Sequence, residues 1–430
     1  MKYYSLKNTK ISLTFSQALK KGLSDDRGLF FPKTIPKLPK SFFQKIIKMG
    51  INDIALEIIK PYIGESIDNN TLLKIVDSTL NFNFPLVRLS KNIYTLELFH
   101  GPTLAFKDVG ARFMSRCLSY TLKNDERMTV LVATSGDTGG AVANGFMDAE
   151  GIDVVVLYPK NKVSDLQERQ FTTLGKNIKA ISVDGTFDDC QRFVKDAFTD
   201  IQINNYLNLT SANSINIARW LPQMFYYFIC YKKLSKLNKK MIFSVPSGNF
   251  GNLCSGILAK RMGLPIHHFI ASTNINDVVP KYIDTGIYSP KPSKETISNA
   301  MDVGDPSNFI RIERIFNDNY KELIKNISGY KFSDIQTRKA ISSLYGFFNY
   351  TTEPHGAIAY MGLKKYLENK NSDYLGVFLG TAHPIKFREV VENEVKKRIK
   401  MPSQLRGILS KEKKAFTVKS FQEFKSLLLN

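Results

Sequence analysis

Apolar positions follow two different patterns, and the change between them falls near residue 90. Before it, apolar residues recur at helical spacing over 15–23 and 42–63, on either side of a proline-punctuated stretch. After it, short apolar runs alternate with helical patterns. The runs predicted as strands are 93–99, 129–133, 154–158, 180–183, 241–245, 268–272 and 375–379. The helices predicted between them are 111–122, 141–148, 190–199, 214–234 and 253–262.

This alternation of strands and helices predicts an α/β fold with parallel sheets. Ligands of such sheets bind beyond the carboxyl ends of the strands. We therefore expect the chemistry of this protein in the turns that directly follow the strands. A length of 430 residues predicts two to three domains, each large enough for its own core.

Composition and charge limit the kind of partner. Apolar residues make up 43% and charged residues 23%, which excludes disordered and collagen-like chains. The net charge is +21, but 45 of the 60 cations are Lys and they are spread along the chain. We interpret them as a solvated surface, with no nucleic-acid or membrane partner. The alternative, a nucleic-acid-binding protein, predicts an affinity that falls steeply with salt.

Nothing in the sequence predicts export, a membrane span or a metal site. Residues 1–22 contain no apolar signal region, and the longest apolar run, 224–231, is too short to cross a bilayer. The cysteines form no C-x-x-C pair and are widely separated, at Cys117, Cys190, Cys230 and Cys254. We expect a soluble cytoplasmic protein with reduced thiols and no bound metal.

The turn after strand 241–245 reads P-S-G-N-F-G-N and precedes a predicted helix. Its two glycines let backbone N–H groups converge, and the helix N-terminus adds further free N–H groups. This turn is a candidate phosphate cradle, although it lacks the G-x-x-x-x-G-K-[ST] pattern of a P-loop. The alternative is an ordinary glycine-rich turn between a strand and a helix.

The turn after strand 129–133 reads T-S-G-D-T-G-G and also leads into a predicted helix. Hydroxyl groups and free N–H groups at a helix start suit a carboxylate or a phosphate. The alternative is a cluster of helix-capping residues with no ligand.

A third turn, H-G-P-T-L-A-F-K-D, follows strand 93–99 and places Lys107 after Leu104, Ala105 and Phe106 at a helix start. Desolvation and the positive end of the helix dipole both favour loss of the ammonium proton. A neutral amine is what Schiff-base chemistry requires. Among 45 lysines, only the combination with the two candidate anion sites singles out Lys107.

Seven motifs together resemble one family, the threonine synthases, in the longer bacterial and fungal form. They are G-L-F-F-P (28–32), F-H-G-P-T-L-A-F-K-D (99–108), T-S-G-D-T-G (134–139), S-A-N-S-I-N-I-x-R (211–219), V-P-S-G-N-F-G (245–251), N-A-M-D-V (299–303) and L-G-T-A-H-P (379–384). Threonine synthases are fold-type II (tryptophan-synthase β-like) pyridoxal-phosphate enzymes. Because the motifs occur in the family's order, the resemblance covers nearly the whole chain.

The resemblance implies a pyridoxal 5'-phosphate cofactor carried by Lys107. The residues implied to cradle the cofactor phosphate are Ser247, Gly248, Asn249, Phe250 and Gly251. Thr381 is implied to face the pyridine nitrogen. A hydroxyl is a weaker partner for that nitrogen than a carboxylate, so we expect a softer electron sink.

The implied reaction converts O-phospho-L-homoserine and water to L-threonine and phosphate. The residues implied to hold the substrate carboxylate are Thr134, Ser135, Gly136, Asp137 and Thr138, with Asp137 more a loop-orienting group than a proton carrier. The leaving phosphate is a dianion and needs a second cationic pocket. Our candidates for it are Arg219 with Ser214 and Asn216 of the same motif, then Arg112 and Lys160. The alternative for Arg219 is a surface cation.

The resemblance also implies the architecture. We expect two parallel-sheet α/β domains with the cofactor between them and a mainly helical N-terminal domain over 1–90. The catalytic region is 91–430, with the smaller domain at about 110–210. We expect a monomer or homodimer. The rival is another fold-type II lyase, such as a threonine or serine dehydratase or a threonine-synthase-like phospholyase; an enzyme for an unphosphorylated substrate needs no second anion pocket.

Four of the five histidines form two pairs with different expected roles. His100 and His383 lie inside motifs and are candidates for hydrogen bonds near the cofactor. His267 and His268 stand at a strand start, where packing or surface roles are expected. His355 carries no predicted role.

Overall fold

The computed structural model describes residues 1–123, 125–368, 370 and 373–430. The strands, numbered in chain order, are β1 (Tyr3–Ser5), β2 (Phe30–Pro32), β3 (Leu86–Arg88), β4 (Ile93–Glu97), β5 (Met128–Ala133), β6 (Ile152–Pro159), β7 (Ile178–Val183), β8 (Leu209–Ser211), β9 (Lys240–Pro246), β10 (Ile266–Thr273), β11 (Ile327–Lys331), β12 (Tyr374–Gly380) and β13 (Phe416–Val418). Each of the seven predicted strands is present.

The helices complete the element order. They are α1 (Phe15–Lys21), α2 (Lys40–Lys45), α3 (Ile51–Ile63), α4 (Asn69–Thr79), α5 (Lys107–Thr121), α6 (Asp137–Phe146), α7 (Asp165–Thr172), α8 (Phe187–Ala197), α9 (Ile201–Tyr206), α10 (Ile217–Trp220), α11 (Met224–Leu234), α12 (Gly251–Arg261), α13 (Val278–Thr285), α14 (Phe309–Ile315), α15 (Tyr320–Asn326), α16 (Asp334–Phe348), α17 (Pro354–Leu367), α18 (Arg388–Val395), α19 (Ser403–Leu409) and α20 (Phe421–Leu429).

The N-terminal region is mainly helical, as predicted, but it also contains a small sheet. β1 and β2 pair antiparallel, and the Tyr3 hydroxyl donates to the carbonyl of Tyr62 in α3. The helix predicted over 42–63 is two helices, α2 and α3, because Gly50 caps the start of α3. Buried side chains of α3 join one continuous core with residues of both larger sheets.

The larger sheet has six strands in the order β11-β10-β9-β12-β4-β3. Its first five strands are parallel, as their apolar runs predict. The edge strand β3 pairs antiparallel with β4, which the prediction of parallel sheets does not include. The turns after β4, β9 and β12 therefore lie at one end of this sheet.

The smaller sheet has five parallel strands in the order β13-β7-β6-β5-β8. Its edge strand β13 comes from the C-terminal part of the chain, beyond the range 110–210 expected for the smaller unit. α20 packs on this sheet through Phe424, which stacks on Phe193 of α8 with ring centroids 6.0 Å apart.

The helix predicted over 214–234 is interrupted. α10 is followed by a single 3₁₀ turn, 221–223, that contains Pro222, and α11 then continues to residue 234. Proline fits the first turn of a new helix but breaks the interior of a long one. Arg219 and Trp220, the last two residues of α10 before this break, are both buried.

The remaining expectations concern membranes, metals and thiols. Within the described residues, no helix combines the length and apolar character needed to cross a membrane. The same residues contain no group of three or more His, Cys, Asp or Glu side chains arranged to hold a metal ion. All four cysteines are buried free thiols.

Candidate active site

Turns from both larger sheets meet at one cavity of about 120 Å³. The lining residues come from the turns after β4 (106 and 107), β5 (133–135, 137 and 138), β8 (213, 214 and 219), β9 (246 and 248–252) and β12 (381). The others are 187, 191, 223, 300, 301, 303 and 355. The three turns singled out by the sequence are therefore brought together, at the strand ends where a parallel fold places ligands.

Lys107 is the first residue of α5 and lies at the edge of this cavity. Its Nζ is 4.9 Å from the centre of the Phe106 ring and 3.8 Å from the Asp137 carboxylate. Burial lowers the pKa of Lys107, and the charges of Lys386 and Arg219 act in the same direction, against the opposing effect of Asp137. The environment therefore makes loss of the Lys107 proton easier than in a free lysine.

Asp137 holds two lysines at the start of α6. Its Oδ1 is 2.7 Å from Nζ of the fully buried Lys386, and Gln167 Nε2 donates to the same carboxylate oxygen at 2.9 Å. Burial alone raises the pKa of Asp137, but Lys386 and Lys107 outweigh it and hold that pKa well below its usual range. A carboxylate so firmly ionised orients cations and does not carry protons, in line with its expected role.

The turn between β9 and α12 offers unused donors. The hydrogen bonds recorded for the described part of the chain use none of the backbone N–H groups of Gly248, Asn249, Phe250 and Gly251. Phe250 has a left-handed φ of 61° at the start of α12. A Cβ on Gly248 would lie 2.5 Å from the carbonyl oxygen of Ala300, so only glycine fits here. Free N–H groups converging at a helix start fit the phosphate of pyridoxal 5'-phosphate.

Side chains hold this turn in place. Asn249 donates to the Ser214 hydroxyl at 2.9 Å and accepts from the backbone N–H of Ser307 at 2.6 Å. Asn308 donates to the same Ser214 hydroxyl at 2.9 Å. Ser247 does not line the cavity; its hydroxyl donates to the carbonyl of Val245. The hydrogen bond between Ser214 and Asn249 therefore helps to hold the turn, whereas Ser247 lies at the start of the turn and outside the cavity lining.

The T-S-G-D-T-G turn is shaped by Thr134. Its buried hydroxyl accepts from the backbone N–H groups of Gly136 and Gly139, at 2.9 and 2.8 Å. Gly136 has a φ of 139° and stands against Gln167 outside the cavity lining. Ser135 and Thr138 line the cavity and are the turn's hydroxyl groups that a carboxylate can reach.

Arg219 is a buried cation at the cavity wall. Its side chain is almost fully buried, and neither Nε nor Nη1 has a hydrogen-bond partner in the described residues. Burial lowers the pKa of Arg219 to about 10. An unpaired buried guanidinium is costly unless an anion binds to it. The surface-cation alternative disagrees with this burial, and Arg219 is a candidate for a second anion position besides the β9–α12 turn.

Three predicted substrate residues lie elsewhere. Arg112 donates to the carbonyl of Ser78 and to Asn81, and so ties α5 to the N-terminal helices. Lys160 is exposed after β6. Asn216 is buried, caps α10 and donates to the carbonyl of Leu19. None of the three lines the cavity, so the structure adds no support to their role as phosphate-binding residues, which stays a prediction.

The two histidines that lie inside motifs, His100 and His383, line a different cavity. His100 and His383 line a neighbouring space of about 770 Å³, where His100 is 2.7 Å from Glu97. Burial lowers the pKa of His383 to about 4, and its Nδ1 accepts from the backbone N–H of Ile385. His268, in contrast, fits the predicted packing role, with its ring stacked on Tyr366 at 4.7 Å.

Sequence reasoning missed a group beside Thr381. The Thr381 hydroxyl, which lines the cavity, is 3.4 Å from Glu353 Oε1. Glu353 Oε2 is 2.6 Å from His355 Nδ1, and His355 also lines the cavity. Lys386 was missed too, although it lies two residues after the L-G-T-A-H-P motif. The run E-P-H-G at the start of α17 could have indicated this group, because Glu353 caps the helix and His355 follows it two residues later.

Comparison with known proteins agrees with this geometry. The family profile "Pyridoxal-phosphate dependent enzyme" matches residues 78–378, "Threonine synthase N terminus" matches 2–80 and "Threonine synthase, C-terminal" matches 356–427. The chain is 47% identical to the threonine synthase of Buchnera aphidicola subsp. Baizongia pistaciae over 411 residues, 95% of this chain and 94% of that protein. The chain belongs to the threonine synthase family.

Further threonine synthases match this chain over nearly its whole length. The Escherichia coli K12 threonine synthase is 43% identical over 406 residues, 94% of either chain. The crystal structure of threonine synthase from Escherichia coli superposes with a TM-score of 0.94 at 40% identity, covering 100% of both chains. The PLP-bound threonine synthase from Brucella melitensis gives 0.91 at 32% identity, covering 100% of this chain and 99% of that one. The predicted family, fold class and pyridoxal-phosphate cofactor are confirmed.

Proposed function

We propose that this protein is a threonine synthase that converts O-phospho-L-homoserine and water into L-threonine and phosphate. The observation that carries the proposal is the surplus of anion-binding groups in one small cavity. Free N–H groups of the β9–α12 turn and the unpaired guanidinium of Arg219 are separate positions for two phosphates. A cofactor phosphate fills one position, and a phosphorylated substrate accounts for the other.

The β9–α12 turn and Lys107 would hold the cofactor. Gly248, Asn249, Phe250 and Gly251 supply N–H groups to its phosphate, and Lys107 supplies the amine that carries it. When bound, pyridoxal phosphate supplies an electron-accepting ring that stabilises negative charge at the substrate Cα. Thr381, directly after β12, lines the same cavity and would face the pyridine nitrogen.

Lys107 also moves protons in the proposed reaction. Its lowered pKa favours the neutral amine, which can take the proton from the substrate Cα and return it when threonine forms. Asp137 and Lys386 keep this amine in position because their buried ion pair fixes the carboxylate 3.8 Å from Lys107. Loss of phosphate from Cγ also requires that a proton leaves Cβ, and Cγ must then gain a proton before water adds at Cβ. The site must therefore control when water enters.

The substrate would span the cavity between two anchors. Ser135 and Thr138, with the N–H groups at the start of α6, are suited to its carboxylate. Arg219 with the Ser214 hydroxyl is suited to its phosphate. An enzyme for threonine or serine has no use for a guanidinium kept unpaired at this position, which disfavours the dehydratase alternative.

The domain division and the cellular setting belong to the same proposal. An N-terminal domain over 1–90 would pack on a catalytic region over 91–430, whose smaller unit, about 110–210, closes over the substrate. We expect a monomer or homodimer in the cytoplasm with no nucleic-acid partner and no membrane partner. Most of the 45 lysines lie outside the motifs and would then be solvated surface.

Steady-state assays with three candidate substrates test the function. We expect phosphate release from O-phospho-L-homoserine with equal formation of L-threonine, and kcat/KM for L-threonine or L-serine deamination at least about 100-fold lower. Equal or faster deamination of the unphosphorylated amino acids would instead assign the protein to the dehydratases. A variant with Lys74→Ala, an exposed residue of α4 outside the cavity lining, serves as the control that should keep full activity.

A further inference from the structure

Gln223 places an unpaired carbonyl oxygen at the wall of the active-site cavity. The residue ends the 3₁₀ turn between α10 and α11, is 6% exposed and lines the cavity. Its Nε2 donates to the carbonyl of Arg219 at 3.0 Å, whereas its Oε1 has no hydrogen-bond partner among the described residues. Because only the amide nitrogen can donate to a carbonyl, this bond fixes which end of the side chain is Oε1. A buried acceptor of this kind at a cavity wall indicates a ligand.

Two contacts hold Gln223 beside the first turn of α5, which begins with Lys107. Gly110, one turn further along α5, lies so close to the carbonyl of Arg219 that a Cβ on it would be 2.7 Å from that oxygen. The same carbonyl accepts from Gln223. Tyr226, in the first turn of α11, donates its hydroxyl to the carbonyl of the residue before Lys107. The Gln223 carboxamide and the start of α5 therefore share one part of the cavity wall.

The ligand of this acceptor must be a hydrogen-bond donor. The groups proposed to bind the two phosphates and the substrate carboxylate act as donors, because those anions accept hydrogen bonds. A carbonyl oxygen gives such anions no contact. An ammonium on Lys107 already has the Asp137 carboxylate 3.8 Å away. Of the reactants in the proposed function, the substrate amino group becomes bonded to the cofactor, and water is the remaining donor.

We infer that Gln223 binds the water molecule that adds to Cβ and holds its oxygen toward that carbon. The inference rests on the proposed function, which consumes one water per turnover. Water adds across the double bond between Cα and Cβ that remains after phosphate has left and Cγ has gained a proton. Its oxygen forms the bond to Cβ, and one of its protons passes to the neutral Lys107 amine. The electron pair of the double bond takes up a proton from Lys107 at Cα, while Gln223 accepts the hydrogen bond of the water and stays neutral.

A turnover in which water does not add at Cβ ends in a different product. The unsaturated amino acid then leaves the enzyme and reacts with solvent water to give 2-oxobutyrate and ammonia. Both routes consume one water and release one phosphate, so phosphate release counts all turnovers. The ratio of 2-oxobutyrate to L-threonine therefore measures how well the water is positioned. A residue with a purely structural role changes the rate of phosphate release but leaves this ratio unchanged.

The experiment compares the cofactor-loaded wild type with Gln223→Met, which removes the acceptor and keeps an unbranched side chain of similar size. O-phospho-L-homoserine is supplied, and phosphate, L-threonine and 2-oxobutyrate are measured in the same samples. In the wild type we expect nearly every phosphate to be accompanied by one L-threonine. In the variant the ratio of 2-oxobutyrate to L-threonine should rise by about tenfold, the effect expected for one lost hydrogen bond. A variant that turns over more slowly with an unchanged ratio overturns the inference.

Gln170→Met is the matched control. Gln170 is 5% exposed, donates its Nε2 to the carbonyl of Thr103 at 3.0 Å and has no partner for Oε1 among the described residues, but it lies outside the cavity lining. Its substitution should leave the ratio unchanged, and a rise equal to that of Gln223→Met contradicts the inference. If Gln223→Met does not fold, Gln223→Asn, which withdraws the oxygen by one methylene, must raise the ratio instead. A wild type that forms neither L-threonine nor 2-oxobutyrate from O-phospho-L-homoserine overturns the proposed function as well.

Discussion

Replacing Arg219 by Met should make the protein more stable and less active. In the substrate-free enzyme the guanidinium is buried, with Nε and Nη1 unpartnered within the described residues. Burial lowers the pKa of Arg219 to about 10, so its surroundings disfavour the charged form, and the two unpartnered nitrogens gain no hydrogen bond that offsets this cost. Methionine fills similar space without a charge, so we expect the free energy of unfolding to rise by about 1–3 kcal/mol.

The same substitution removes the proposed anchor of the substrate phosphate. A charge-assisted contact to a dianion contributes about 2–3 kcal/mol, so kcat/KM for O-phospho-L-homoserine should fall by about 100-fold. Inorganic phosphate should raise the thermal midpoint of the wild type more than that of the variant, because binding to the native state stabilises it. Thermal scans of the cofactor-loaded, substrate-free enzyme with and without phosphate measure both effects.

Arg311→Met is the matched control, because Arg311 is equally buried but hydrogen-bonded. Its guanidinium donates to the carbonyls of Ser214, Ile215 and Phe30 and to Asn308. Removing it leaves four acceptors without a donor and should destabilise the protein by about 3–5 kcal/mol. If Arg219→Met lowers the thermal midpoint as Arg311→Met does, Arg219 is already paired in the resting enzyme and our reasoning about it fails.

Three other substitutions test the rest of the site. Lys107→Ala should abolish the near-visible absorbance of bound cofactor and its trapping by borohydride, with an unchanged circular dichroism spectrum. Asp137→Asn leaves Lys386 buried without a carboxylate and should lower the free energy of unfolding by about 3–5 kcal/mol at pH 7. Because its pKa is held below the usual value, Asp137 stabilises the fold above about pH 4, and this contribution declines as the pH falls further. Urea unfolding at several pH values measures this, and the difference in unfolding free energy between wild type and variant should shrink on acidification. Gly248→Ala places a Cβ 2.5 Å from a backbone oxygen and should weaken cofactor binding by about tenfold or more, whereas Gly346→Ala, with open space around it, should not.

The sequence predicted the elements whose patterns are long and uniform. Strands such as β6 and β10 are eight-residue, near-continuously buried runs, so their apolar content reveals them. β8 and β13 have three residues each and carry no periodic signal of their own. β13 joins the smaller sheet from residues 416–418, a long-range pairing that local patterns do not encode.

The sequence identified the parts of the candidate site in which a single motif contains the residues that suggest the chemistry. Lys107 and the β9–α12 turn combine residue type, spacing and position after a strand, and the structure brings them together. Arg112 does not line the cavity, because its side chain is turned to the N-terminal helices by Ser78 and Asn81, contacts that depend on tertiary packing. Glu353 and Lys386 were missed for the converse reason: each is an ordinary charged residue until folding buries it.

One labelling experiment tests the central claim most directly. The enzyme is run with O-phospho-L-homoserine in water enriched in ¹⁸O, and both products are analysed by mass spectrometry. Elimination at Cγ followed by addition of water at Cβ predicts one ¹⁸O atom in the hydroxyl of L-threonine and none in the released phosphate. Label in the phosphate, with homoserine as the other product, would contradict the account and show simple hydrolysis of the phosphate ester.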